Sequence, residues 1–195
     1  MKKYLILNIL LSLSILSFAQ NSSFNITGKI TCQSGDGMEN VNVALTQNGQ
    51  LVDSLQTDQN GDYQFLNLPF IVNDSSYQVE VFYVGQPLDG VSTFDMVVAM
   101  RHILGIDALG PAQVLAADLN RSGSLTTLDL VQMRALILFL PQAALVPNPD
   151  WLFYREVNGQ IQERAFAVPG NSGNQILNIQ GIKRGDVNGS AFCGQ

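Results

Sequence analysis

Histidine is almost absent from this chain. Of 195 residues, one is a histidine (His102), two are cysteines and one is a tryptophan. Without histidines the commonest general base and the imidazole metal clusters are missing. No serine or cysteine stands at motif spacing from a base, so nucleophilic catalysis has no visible machinery. Nothing in the spacing sets two carboxylates across a cleft, as glycoside hydrolysis requires. The expectation is a protein that is not an enzyme, with His102 a packed or surface residue. Cys32 and Cys193 are too few and too far apart for a thiolate metal site or a redox motif. In an exported chain they are candidates for one disulfide, or for two separate thiols, and the sequence leaves both open. Positive charge is scarce as well, ten Lys and Arg against sixteen Asp and Glu, a formal charge of −6. That balance excludes the electrostatic footprint of a nucleic-acid or anionic-membrane binder and suits divalent cations. Gly35-Asp36-Gly37 is a turn, since neither a basic residue nor a helix start follows it as a phosphate loop requires.

Long apolar runs are missing too, except at the start. Lys2 and Lys3 precede an apolar stretch from Leu5 to Leu16, closed by Ser17-Phe18-Ala19. This is the pattern of a secretory signal cut after Ala19, and the run is too short to span a bilayer. The mature protein is therefore expected to be exported (extracellular, cell-surface or periplasmic) and free of the membrane.

From about residue 22 to 84 the period is two. Phe24, Ile26 and Ile30, then Val41, Val43 and Leu45, then Tyr63 and Phe65, then Tyr77, Val79 and Val81 alternate with polar residues. Turn signals at 34–37, Asn48-Gly49, Asn60-Gly61 and Asn73-Asp74-Ser75 separate the runs, which indicates a β-sandwich. The phrases Gly28-Lys29-Ile30, Asn40-Val41-Asn42-Val43-Ala44-Leu45 and Asp58-Gln59-Asn60-Gly61-Asp62-Tyr63-Gln64-Phe65 resemble the carboxypeptidase regulatory-like (prealbumin-like, CNA-B-like) sandwich over residues 24–84. The resemblance implies a rigid spacer or a weak glycan or partner platform with no chemistry of its own.

Between residues 86 and 140 the period changes to that of helices. Phe94, Val97, Val98, Ile103 and Leu104 fit one helix, and Leu128, Val131, Ala135 and Leu138 a second. With Asp95 set on Asp129, Thr93 falls on Thr127, Val97 on Val131, Ile103 on Ile137 and Leu104 on Leu138, an internal repeat that suggests paired metal loops. Residues 118–129 carry an oxygen donor at each alternate position of a twelve-residue calcium loop. Asp118, Asn120 and Ser122 stand at positions 1, 3 and 5, with Gly123 at the turn. The Ser124 carbonyl, Thr126 and the Asp129 carboxylate stand at 7, 9 and 12. Two carboxylates are few for such a loop, so binding near ~10⁻⁴–10⁻³ M is expected.

This unit resembles those of type I dockerins, as does the degenerate stretch from Gly90 to Gly105. The resemblance implies Ca²⁺ as cofactor and a protein-docking face, with a cohesin-like or other surface protein as partner. The first unit keeps only its closing half, Ser92 and Asp95. Compared with the second unit, it lacks one residue between Gly90 and Val91. Val84, Gln86 and Leu88 are poor donors where an opening half should stand.

From 147 to 195 the chain reads as a β-rich segment, with Trp151 and Phe153 alternating, a hairpin turn at Asn158-Gly159, and Leu177 and Ile179 in a strand. It ends in Asp186-Val187-Asn188-Gly189-Ser190, an opening half-loop with no closing acid. That tail is either a polar turn or the missing half of the first loop, in which case Asp89, Ser92, Asp95, Asp186 and Asn188 form a second metal site. The fold expected is mainly β with α, an immunoglobulin- or prealbumin-like sandwich followed by a dockerin-like pair of EF-hand-like loop-helix units. The function expected is a secreted, calcium-binding docking or scaffold module attached to polysaccharide-degrading machinery. The alternative is a carbohydrate-binding accessory module, with the sandwich or the Trp151 region as sugar platform. Calcium is expected to order the helical region and leave the sandwich largely unchanged.

Overall fold

The computed structural model describes residues 23–71, 76–85, 88–140, 151–163 and 165–193. The expected secretory signal, the expected turn at 73–75, and Gln86 lie outside these residues. Ten strands and three short helices follow one another as β1 (Ser23–Thr31), β2 (Asn42–Gln47), β3 (Gln50–Gln56), β4 (Asp62–Pro69), β5 (Ser76–Phe82), α1 (Thr93–Ile103), α2 (Pro111–Ala117), α3 (Thr127–Ile137), β6 (Trp151–Val157), β7 (Gln160–Glu163), β8 (Phe166–Pro169), β9 (Gln175–Ile176) and β10 (Ile179–Lys183). The chain is thus mainly β.

The strands form two sheets. One runs β4-β1-β10-β6-β7, with β9 also on β1, and the other β3-β2-β5-β8. Alternating residues of both sheets meet in one core, where Ile26, Val43, Leu45, Phe65 and Val79 are wholly or almost wholly out of water. At Asn48-Gly49 and Asn158-Gly159 both residues of each pair have positive φ, the twist that two-residue hairpins need. β3 is missed by periodicity because all but one of its side chains are exposed.

The C-terminal region is woven into the sandwich and does not follow it as a segment of its own. β8 pairs antiparallel with β5, and β9 and β10 pair parallel with β1, with Ile179 opposite Ile30. Gly28 allows this close passage, since a Cβ there would lie 1.9 Å from the Leu177 carbonyl oxygen. Trp151 and Phe153 enter the sandwich core, while Leu152 and Tyr154 on the opposite face of β6 meet Ala116, with Ala112 and Leu115 beside it. Burial on both faces explains the unbroken apolar run at the start of β6.

A second core lies between the helices, built from Val91, Ala99, Ala117, Leu119, Met133, Leu136 and Val187. Helix α2 was not legible from periodicity; Gly110 and Pro111 mark its start and it has seven residues. Most of the apolar residues at repeat positions face outward: Phe94, Val97, Leu104, Leu128, Val131 and Leu138 are exposed, while Ile103 and Ile137 are half-buried. Among the described residues, no helix is long and apolar enough to cross a membrane.

Because β10 lies inside the sheet, the sandwich and the C-terminal region should unfold in one transition. Ile179→Ala is expected to cost about 2–5 kcal/mol, as a buried Ile30→Ala would. Urea unfolding followed by far-UV circular dichroism and by tryptophan fluorescence checks this. Coincident midpoints are expected in both variants.

Candidate metal centre

The loop from Asp118 to Asp129 runs between two helices, from the C-cap of α2 into α3. The Asp118 carboxylate closes its opening turn, accepting from the Ser122 amide (3.0 Å) and the Gly123 amide (2.7 Å). The Asn120 side-chain oxygen accepts from the same Ser122 amide at 2.8 Å, and the Ser122 hydroxyl donates to the Ser124 carbonyl at 3.0 Å. Asp129 faces the loop from the first turn of α3. One of its oxygens accepts from the Thr126 amide and hydroxyl (2.8 and 3.0 Å), and the other from the Asn120 amide at 3.4 Å. Arg121 takes the left-handed backbone that the turn demands, φ 58°, and Leu119 turns inward, fully buried.

The tail builds the same arrangement against α1, from two stretches of chain. The Asp186 carboxylate accepts from the Ser190 amide (3.0 Å) and the Ala191 amide (2.8 Å). Asn188 accepts from the Ser190 amide at 2.9 Å, and the Ser190 hydroxyl donates to the Gly90 carbonyl at 3.1 Å. Asp95, three residues into α1, takes the place of Asp129. One oxygen accepts from the Ser92 amide and hydroxyl, both at 2.8 Å. The other accepts from the amides of Val187 and Asn188, at 2.8 and 3.0 Å. Gly189 has the left-handed backbone of Arg121, φ 73°, and Val187 is buried like Leu119. Gly90 therefore stands where Ser124 stands, at position 7. The first unit lacks no residue there, because the tail supplies the turn that precedes Gly90.

The four carboxylates are nearly or wholly buried, Asp95 and Asp129 at 0%, Asp186 at 1% and Asp118 at 7% exposure. Burial pushes the Asp186 carboxyl up from the usual range; the Ala191 and Ser190 amides pull against that, and the negative charge of Asp95 adds to it. Each loop thus offers two carboxylates, an amide oxygen, a hydroxyl and a backbone carbonyl. An all-oxygen set of this kind fits a hard cation such as calcium and suits a soft metal poorly.

Both loops are tied to the sandwich. Arg121 forms an ion pair with Glu163 at the end of β7. Cys193 is disulfide-bonded to Cys32, the residue after β1. Cys32, Asp36 and Cys193 lie close enough to resemble a metal cluster, but the bond between the two sulfurs takes them out of that role.

The other candidate residues fall as follows. Thr126 and Ser92 each donate their hydroxyl to the aspartate behind them and occupy the N-cap of α3 and α1. Asp89 stands at the edge of the tail, accepting from the Phe192 amide at 3.3 Å, and takes no part in the ring around Asp95. His102 Nδ1 accepts from the Leu109 amide at 3.0 Å, a structural staple. Trp151, with 5% exposure and packed edge-on to Tyr83, belongs to the core and is no sugar platform. The Gly90 carbonyl and the Arg121–Glu163 pair were missed, the first because backbone donors leave no mark in sequence, the second because it joins a loop to a strand 42 residues further along.

Residues 25–99 match the carboxypeptidase regulatory-like domain family. The match spans β1 to β5 and runs into α1, so it stops short of the continuous loop and of the tail. Comparison with curated proteins found no match.

Asp95→Ala removes the acceptor of two tail amides and of the α1 cap together. The amides of Val187 and Asn188 should then exchange about tenfold faster or more, with Asn120 unaffected. The stability loss should reach about 2–4 kcal/mol, above that of an ordinary cap, because buried donors are left unpaired. Hydrogen exchange by NMR and urea titration measure the two effects.

Proposed function

We propose that this chain is an exported, non-catalytic, calcium-binding docking module, in which cations at the two aspartate loops set a helical pair upon a β-sandwich. The observation that carries this reading is the recurrence of one hydrogen-bonding scheme in two loops of different chain connectivity. A polar turn formed by chance has no reason to repeat the partners of Asp118, Asn120, Ser122 and Asp129 in Asp186, Asn188, Ser190 and Asp95. Two buried carboxylates facing one another also carry a mutual repulsion, as at Asp186 and Asp95, which a cation would offset.

Asp118, Asn120, Ser122, Asp129 and the Ser124 carbonyl would hold one ion, and Asp186, Asn188, Ser190, Asp95 and the Gly90 carbonyl the other. Calcium supplies charge neutralisation and cross-linking of the loop, and no reaction is assigned to it. With few carboxylates per site, affinities of about 10⁻⁴–10⁻³ M are expected.

The docking half of the reading rests on the outward apolar residues. Phe94 and Leu128, Val97 and Val131, and Leu104 and Leu138 are exposed at repeat-equivalent positions. Exposed apolar side chains gathered on two packed helices favour a protein partner over solvent. A cohesin-like surface protein is the class of partner implied, and attachment to polysaccharide-degrading machinery the role. The carboxypeptidase regulatory-like match at 25–99 fits a spacer that presents such a face.

Calorimetric titration with calcium tests the reading. Two ions are expected; Asp118→Ala and Asp186→Ala should each remove one, and Asp95→Ala should cost as much as Asp186→Ala. Binding unaffected by any of the three would overturn it. Because the tail loop begins three residues after β10, calcium should protect amides of β10 and β1 as well as the helices, which revises the expectation of an unchanged sandwich.

A further inference from the structure

Resting on the calcium reading of the tail loop, we propose that the Cys32–Cys193 disulfide and the composite site are thermodynamically linked. Reduction of the bond weakens cation binding at that site alone, and a cation bound there protects the bond from reduction. The argument starts from how the tail is held. The strand before it, β10, begins beside the end of β1, with Ile179 opposite Ile30 and Gln180 opposite Thr31. The tail leaves the sheet at Lys183, opposite Trp151 of β6. It supplies donors from Asp186 to Ser190 and ends in Cys193, bonded to Cys32. The donor segment therefore hangs between two anchors on the same end of β1, a β-ladder on one side and a covalent bond on the other.

Remove the covalent anchor and the tail keeps one fixed end. Its remaining ties beyond Asn188 include the Ser190 and Ala191 hydrogen bonds, the packing of Ala191 against the sandwich core, the long bond from the Phe192 amide to Asp89, and the approach of Gly189 to Gln33. Phe192 itself is 81% exposed and contributes little packing. A tail that docks only part of the time binds a cation more weakly in proportion to the docked fraction. The continuous loop differs. Both its flanks are helices, α2 and α3, and it needs no such anchor, so it serves as an internal reference.

The reverse effect follows from linkage. Cys32 and Cys193 are buried, at 2% and 5% exposure, so a thiol reaches the bond when the tail lifts. A cation joining Asp186 to Asp95 opposes that lifting, and at equilibrium it disfavours reduction by the same factor by which reduction weakens the cation. In the reduction itself a dithiol gives two electrons and two protons to the S–S bond. Two cysteine thiols form, and the reductant becomes its own disulfide.

The test uses the full exported chain, calcium alone, and dithiothreitol as reductant. Calcium titration of the oxidised protein should find two sites. Cys32→Ser/Cys193→Ser should keep the Asp118 site unchanged and lose about tenfold or more at the other, equivalent to about 30 mV in the disulfide's potential. Calcium should shift the thiol–disulfide equilibrium with dithiothreitol by a similar factor and slow thiol release in the unmodified protein, and should affect neither in Asp186→Ala. Equal affinities in the oxidised and cysteine-free proteins overturn the linkage while leaving the calcium reading intact. An oxidised protein without an Asp186-dependent ion overturns both. Should the cysteine-free variant not fold, the reduction rates with and without calcium decide alone, and identical rates reject the linkage.

Discussion

Four donors converge on the Asp95 carboxylate, two from its own helix cap and two from amides 92 and 93 residues further along the chain. A carboxylate wholly removed from water is tolerated only when its lone pairs are met. Meeting them here requires the tail to lie against α1 in one register. Several other features follow from that requirement. Val187 is drawn into the core between the helices, Ser190 is brought to the Gly90 carbonyl, and Cys193 is carried to Cys32. Asp129 does the same work within a single stretch of chain, which is why the two helices look alike although their loops are connected differently.

The sandwich imposes a matching constraint. β1 has β4 on one side and β9 and β10 on the other, so its second edge stays open until the last strand arrives. Parallel pairing across so long a separation is slow to form and leaves an edge exposed meanwhile. Helix α2 bridges the two constraints. Ala116 packs on Leu152, Tyr154 and Ile182 of the sheet, and the helix ends at Asp118, where the continuous loop begins.

Local chemistry was legible in the sequence and distant pairing was not. Asn48-Gly49 and Asn158-Gly159 announced their hairpins because few residue pairs accept consecutive positive φ. The loop at 118–129 was legible because its donors alternate within twelve residues, and the tail because its first donors keep the same spacing. Which half-loop completes which site depends on where β10 docks, and no local pattern records that. Helical periodicity picked out Phe94, Val97 and Leu104 but could not say which face is inside. The structure buries Asp95, Ala99, Met133 and Leu136 instead, since capping carboxylates and small side chains allow α1 and α3 to approach closely. The division at residue 147 failed for the same reason, as Trp151 and Phe166 belong to the sandwich core.

The bond between Cys32 and Cys193 has a mechanical consequence. It closes a covalent ring with a sequence separation of 161 residues, which contains both loops, all three helices and every strand except β1. Tension applied to the chain before Ser23 and beyond Cys193 would pass along β1 and across the sulfur bridge, bypassing the ring. Under load only β1 would be drawn in shear against β4, β9 and β10, while the apolar helix faces and the aspartate loops stayed at rest. A module built this way can carry force between its two ends without surrendering the surface it presents.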